Sequence, residues 1–267
     1  MTETQELRGD PDTERPRARL FVGADLAPGV TVALDARAAH YLRDVLRLGA
    51  GAEIALFNGR DGEYAARLAR VGKQTGALEV MAQRRPQRAE PDVWLLFAPV
   101  KRARIDAIVE KATELGVLRL MPVLTRRTNV ARVNLARLAA IAIEAAEQCE
   151  RLTVPAVDAP APLETVLAGW PDDRLLFVAD ETGAAPPLAR RLDAMPGSRA
   201  AASPPRWALL IGPEGGFAPA ELDALRQFQF VTPVGLGPRV LRADTAVTAA
   251  LAVVQSWIGD WAERPRS

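Results

Sequence analysis

The sequence predicts a two-part α/β protein: a small β-barrel followed by a larger domain built on a mostly parallel sheet. Three observations predict it. From residue 93 onward, short apolar runs alternate with amphipathic helical patterns, the mark of βαβ units. Residues 17–88 instead hold several short strands and a single helix. Between them Arg84–Pro91 is polar, charged and Pro-flanked, which is linker composition.

The elements follow in order. Residues 1–16 contain Gly9, Pro11 and Pro16 and almost nothing apolar, and read as a disordered tail. Arg19–Val22 and Val30–Leu34 read as strands. Asp35–Leu48 reads as a helix, with Ala39, Leu42, Val45 and Leu46 on one face and Gly49 ending it. Ile54–Phe57 and Glu63–Leu68 flank the turn Asn58–Gly62 as a hairpin, and Ala77–Ala82 is the next strand.

Val93–Pro99 is a continuous apolar run, as in a parallel strand buried on both faces. In Arg104–Leu115 the residues Ile105, Ile108, Val109, Ala112 and Leu115 keep the 3.6 period, and Gly116 stands at the C-cap. Leu118–Val123 is a strand, Leu135–Arg151 a long Ala-rich helix and Leu175–Ala179 a strand. Within the Ala-, Pro-, Gly- and Ser-rich stretch 183–205, only Pro187–Met195 reads as a short helix. Trp207–Ile211 is a strand, and Pro219–Gln227 a helix with Pro in its first turn. Phe230–Val234 and Thr245–Ile258 are the last strand and helix.

Composition narrows the class. With 267 residues, 49% of them apolar and 25% charged, the chain can fill a core and is not disordered as a whole. Cys149 is the one cysteine and His40 the one histidine, which excludes an intrachain disulfide and a Cys- or His-cluster metal site; no metal is expected. No apolar run approaches the ~18 residues that cross a bilayer, and the first residues are acidic, unlike a signal peptide. The expectation is a soluble, cytoplasmic protein with no membrane partner. The formal net charge of +1 is unevenly spread: −3 over 1–16, +5 over 17–88 and −1 over 89–267. The near-neutral total argues against a nucleic-acid partner, but its distribution puts a basic surface on the first domain.

Chemistry points to two turns. Leu209–Phe217 is a buried strand, a Gly-rich turn and a helix start, and open parallel sheets bind ligands at the carboxyl ends of their strands. No Lys-Ser/Thr pair follows, so it is not a P-loop, and it is not G-x-G-x-x-G. Val234–Ala246 repeats the arrangement after the next strand, so both turns can line one pocket. Arg239 and Arg242 add positive charge at its edge. Asp244 is placed to cap the last helix or to accept a hydrogen bond.

IGPEGGF (Ile211–Phe217) and LGPRVLRADTA (Leu236–Ala246) resemble the two C-terminal signatures of the RsmE family, bacterial methyltransferases acting on N3 of a uridine in 16S rRNA. KRARIDAIVEKATELGV (Lys101–Val117), Glu147–Arg151 and HYLRDVLRLGAG (His40–Gly51) agree in order, so the resemblance runs from Arg17 to Ile258. It implies a trefoil-knotted SPOUT (α/β-knot) methyltransferase domain over 89–267 after a PUA-like β-barrel over 17–88. It also implies S-adenosyl-L-methionine as cofactor, a homodimer, and 16S rRNA, within a small-subunit particle, as partner. Carried over by motif, the cofactor loops comprise Val178, Ala179 and Glu181, then Ile211, Gly212, Pro213, Glu214, Gly215 and Gly216, then Leu236, Gly237, Val240 and Leu241. Backbone groups there would hold adenine, flanked by Leu236 and Leu241.

Arg242 is the candidate for stabilising negative charge on the uracil ring, and Asp244 the candidate base or orienter. Arg17, Arg19, Arg43, Arg47 and Arg60 are the RNA-clamp candidates of the barrel. Lys101, Arg102, Arg126, Arg127 and Arg239 are those of the larger domain. Two departures from the family pattern stand out. Asp244 replaces the usual Glu, and Ala218 replaces a Ser that would cap the next helix. His40 reads as a packing residue or an RNA contact, Cys149 as packing, and Glu144, Glu147 and Gln148 as dimer interface or active-site wall. Two other functions compete. A ribose 2′-O-methyltransferase of the knotted class typically carries S-L-N-V-S, which Leu241–Thr245 lacks. Against a non-catalytic RNA-binding assembly protein stands the retention of both Gly-rich turns.

Overall fold

A computed structural model describes residues 16–129, 132–195 and 206–261. The expected tail, apart from Pro16, and most of the 183–205 loop beyond Met195 lie outside them. The chain divides into two compact units, 1–88 and 89–267.

The first unit carries β1 (Arg19–Phe21), β2 (Thr31–Leu34), α1 (Ala36–His40), β3 (Glu53–Phe57), β4 (Glu63–Val71) and β5 (Gly76–Arg85). They form a five-stranded sheet of order β1-β3-β4-β5-β2, with β1 parallel to β3 and the other pairs antiparallel. The hairpin turn is built by Asn58, whose Oδ1 accepts from Arg60 N (3.0 Å) and Asp61 N (2.9 Å). Leu20, Leu42, Ile54, Leu56, Leu68 and Leu78 form the core.

The helix expected over 35–48 is different in kind. Asp35 caps α1 by accepting from Ala38 N (2.7 Å), but α1 passes at once into a π-helical turn, Tyr41–Val45. A wider turn breaks the 3.6 period. Ala39 and Leu42 stay buried, while Val45 is 58% exposed. Of the two readings of His40 the packing one falls with it: its side chain is exposed, and Nδ1 lies 2.6 Å from Asp44 Oδ2.

The second unit runs β6 (Val93–Phe97), α2 (Arg102–Glu114), β7 (Arg119–Leu124), α3 (Leu135–Gln148), β8 (Ala156–Val157), β9 (Ala161–Pro162) and α4 (Leu163–Ala168). Then come β10 (Arg174–Ala179), α5 (Leu188–Asp193), β11 (Arg206–Ile211), α6 (Pro219–Leu225), β12 (Val231–Val234) and α7 (Ala243–Ile258). The strands make a seven-stranded sheet of order β12-β10-β11-β6-β7-β8, with β9 also on β7, and every pair is parallel.

The apolar runs are continuous because both faces are covered. Leu95, Phe97, Phe177, Leu209 and Ile211 point to α2, α3, α5 and α7. Leu96, Leu176, Val178, Ala208 and Leu210 point to α4 and α6. The chain leaves β6 toward β7, then returns to the other side of β6 for β10 to β12, a reversal of the kind beside which open sheets bind ligands. At the amino end of the sheet, Arg174 is 2% exposed and stacks 3.7 Å above the Trp94 ring. It pairs with Asp92 (2.5 Å) and donates to the carbonyls of Asp92 (2.9 Å) and Trp207 (3.2 Å). Arg151, in the Glu147–Arg151 motif, has a structural post: it pairs with Glu90 and donates to the carbonyls of Thr113, in the last turn of α2, and of Val117 just beyond it. Among the described residues no helix is long and apolar enough to cross a membrane.

Candidate cofactor and catalytic site

The loops that leave the carboxyl ends of β10, β11 and β12 enclose a cavity of about 570 Å³. The wall begins with two adjacent acids that hold different partners. Asp180 is buried; it accepts from Thr182 N (2.8 Å), Thr182 Oγ (2.6 Å) and Arg226 Nη2 (2.9 Å). Burial opposes its charge, but the Thr182 bonds and the Arg226 guanidinium outweigh that and hold its carboxyl below the usual range. Glu181 Oε1 instead accepts from Phe217 N (3.0 Å), at the end of the first Gly-rich turn.

Close approach fixes two glycines. Gly216 has φ +67°, and a Cβ there would stand 2.0 Å from Glu181 Oε1. A Cβ on Gly235 would meet Ala185 O at 2.9 Å. Gly235 N donates to Pro186 O (2.8 Å) and its carbonyl accepts from Leu188 N (3.0 Å), so the loops after β10 and β12 lie backbone to backbone.

The N-cap residue of α6 is Ala218, which has no hydroxyl to cap the helix. Buried Glu221 answers part of that loss. Its Oε2 accepts from Ala218 N (2.9 Å), and its Oε1 accepts from Arg126 N (2.7 Å), tying the loop after β7 to the turn. Arg127 Nη1 donates to Gly215 O (2.8 Å), and Arg104 pairs with Glu214 (3.0 Å).

Of the residues expected to hold a cofactor, all but Val178 and Gly215 line the cavity. Val178 is in the sheet core, and Gly215 faces Arg127. Arg239 also lines it, and Val240 is 82% exposed at its rim. The lining also includes Asp180 and Gly235, inside the expected loops, and Thr182, Gly183, Ala185 and Pro187, beyond them. Asp-Glu-Thr-Gly directly after a buried strand was the available signal.

Arg242 is the N-cap residue of α7 and is exposed; Asp244 lies in the first turn, so it does not cap the helix. Asp244 Oδ1 is buried and has no hydrogen-bond partner among the described residues. Both flank cavity-lining residues, Leu241 and Ala243, without lining the cavity themselves.

The barrel candidates separate. Arg17 and Arg47 are exposed, Arg47 at φ +55°. Arg60 pairs with Asp25 (2.8 Å). Arg43 pairs with Asp44 (2.5 Å) and, by that bond above all, takes its carboxyl down to about 2. Arg19 is a correction. Its side chain is 7% exposed, pairs with Glu63 (2.7 Å) and lies 4.2 Å from the Phe57 ring centre, so it is not presented to a partner. Glu63 also pairs with Arg85 (2.7 Å); burial opposes its charge, and the two guanidiniums nevertheless hold it below its ordinary value. In the second unit Lys101, Arg126, Arg127 and Arg239 are exposed, and Arg102 is the first residue of α2.

Comparison with known proteins agrees with this frame. The RNA methyltransferase domain family matches residues 87–255, and the RNA methyltransferase PUA domain family matches residues 34–81. The protein named ribosomal RNA small subunit methyltransferase E in Rickettsia conorii is 29% identical over 238 residues, 89% of this chain and 94% of that one. The Synechocystis protein of the same name is 33% identical over 244 residues, 89% of this chain and 77% of that one. The crystal structure of the Neisseria gonorrhoeae methyltransferase E bound to S-adenosyl methionine superposes with a TM-score of 0.80 at 28% identity, covering 91% of this chain and 99% of that one.

The parallel sheet, the cavity at its carboxyl edge and the preceding PUA domain define an RNA methyltransferase. The chain belongs to the ribosomal RNA small subunit methyltransferase E family, the RsmE family.

Proposed function

We propose that this protein transfers a methyl group from S-adenosyl-L-methionine to N3 of a uridine in 16S rRNA, working as a cytoplasmic homodimer on a small-subunit particle. The observation that carries the reading is the cavity at the ends of β10, β11 and β12. Its size suits one small cofactor. Its lining suits this one. Backbone groups of the two Gly-rich turns match the polar edge of adenine, Leu236 and Leu241 match its faces, and the Glu181 and Glu214 carboxylates favour a cationic ligand. The cofactor, held there, supplies a methyl group on a positively charged sulfonium. The names of the relatives support the rRNA substrate.

The chain's own residues supply the rest. Uridine N3 carries a proton and is a poor nucleophile until that proton is removed. N3 lies on the Watson–Crick edge, so the base must be unpaired or flipped. Arg242, exposed at the start of α7, is the guanidinium that would stabilise the negative charge gained by uracil O2 or O4. Asp244 Oδ1, a buried acceptor with no partner among the described residues, receives the N3–H. Its carboxylate sits one methylene nearer the helix than the Glu of the family pattern. The trefoil threading belongs to the same reading, supported by the backbone pairing of the Gly235 loop with Pro186–Leu188.

Mass-spectrometric mapping of 16S rRNA from cells lacking the protein tests the function. One N3-methyluridine should disappear and return with the wild-type chain. Loss of a ribose methyl instead would establish a 2′-O-methyltransferase.

A further inference from the structure

A second cleft, of about 830 Å³, opens in the same unit between the starts of α2 and α3. The chemistry derived above does not use it. It stands after the carboxyl end of β6, and β6 neighbours β11, whose Gly-rich turn walls the cofactor cavity. The Arg104–Glu214 pair joins α2 to that turn.

The cleft has an apolar floor and a cationic rim. Val100, Ile105 and Leu138 are buried and form the floor. Arg137 is neutralised by Asp106 across the cleft, through Nε to Oδ1 (2.9 Å) and Nη2 to Oδ2 (2.5 Å). Lys101 and Arg132 also line it, are exposed and have no ion-pair partner among the described residues. The cleft is therefore net positive by two charges at its mouth. A flat apolar base for the floor and a phosphate for the rim complement it better than a peptide, which would bring no obligatory anion.

We propose that this cleft seats a second nucleotide of the substrate RNA, outside the target uridine, with its base on Val100, Ile105 and Leu138 and its phosphate on Lys101 and Arg132. This rests on the RNA-methyltransferase reading and adds a subsite to it. It explains how a chain with a net charge of −1 over its larger unit still grips RNA near the reacting base: charge is concentrated at one concave place.

The test titrates a short fluorescent oligouridylate into the full-length protein and its Lys101→Ala/Arg132→Ala variant at several salt concentrations. Both residues are exposed, so the fold is not at stake. The variant should bind about tenfold more weakly or worse, and the slope of log affinity against log salt should fall by roughly 0.7, the single-strand value for the one phosphate that both side chains hold. An oligomer with abasic sites should lose affinity for the wild type, because the floor then holds nothing. Calorimetric affinity for S-adenosyl-L-methionine should not change. Equal affinity and slope for variant and wild type overturn the proposal. So does an abasic strand that binds as tightly as oligouridylate. A change in sedimentation on mutation overturns it too, and marks the cleft as a contact between copies. Failure of the methylation reading shows elsewhere, as wild-type protein that methylates no uridine N3 in 16S rRNA.

Discussion

Gly216 and Glu181 are fitted to each other: the backbone of one turns at φ +67° so that the carboxylate of the other can reach Phe217 N across the space a Cβ would fill. Gly216→Ala places a methyl 2.0 Å from Glu181 Oε1 and adds left-handed strain of about 1–2 kcal/mol. Its melting temperature should fall, and the stabilisation given by S-adenosyl-L-methionine should vanish. Adding Glu181→Ala should recover part of the melting temperature and none of the ligand shift.

Arg242→Ala and Asp244→Asn should each lower kcat by roughly 10²–10⁴-fold while calorimetric cofactor affinity stays near wild type. Neither residue lines the cavity, which is why binding and turnover should part. Loss of cofactor affinity in Arg242→Ala would place that residue in the binding loop instead.

Asp180 and Glu63 should set the acid limit of the fold. Both carboxyls are held below their unfolded values, by Thr182 and Arg226 in one case and by Arg19 and Arg85 in the other. Groups shifted that way stabilise the protein above their unfolded values of about 4 and lose that contribution as pH falls through the lower folded ones. Urea unfolding between neutral pH and pH 3 should therefore show a shallower loss of stability in Asp180→Asn and Glu63→Gln than in wild type.

Asp92→Ala leaves the Arg174 guanidinium at 2% exposure without its carboxylate. Asp92 itself is partly open to water, so the cost should be about 2 kcal/mol rather than the full penalty of a sealed pair. Chemical denaturation should show the midpoint lowered with an unchanged slope.

Arg19→Ala should lower the melting temperature and leave RNA affinity unaltered, because the guanidinium serves Glu63 and the Phe57 ring. Arg47→Ala should do the reverse.

The larger sheet was readable because its strands are buried on both faces: Val93–Phe97 and Trp207–Ile211 are unbroken apolar runs, and such runs have few alternatives. The Gly-rich turns were readable for the same local reason. What escaped depends on more than one segment. β8, β9 and α4 are two, two and six residues long, too short to show a period. The π turn over Tyr41–Val45 conceals its widening in an ordinary helical pattern, and the packing reading of His40 rested on that pattern. Arg19 looks like any surface arginine until β4 brings Glu63 beside it. Asp180 stands in a polar turn directly after a buried strand, but its bond to Arg226, 46 residues further on, shows only in the fold. Of the two roles open to Asp244, helix cap or acceptor, the cap falls away because α7 begins two residues earlier than its sequence suggests.

The cavity's walls have a consequence for synthesis. They come from residues between Ala179 and Ala246, whereas the first unit, with its own core, ends at Arg88. A growing polypeptide therefore completes the basic unit before any wall of the cavity has been made. The transfer site exists only when nearly the last helix has emerged. A chain that stopped between the two would carry the basic unit without the cavity.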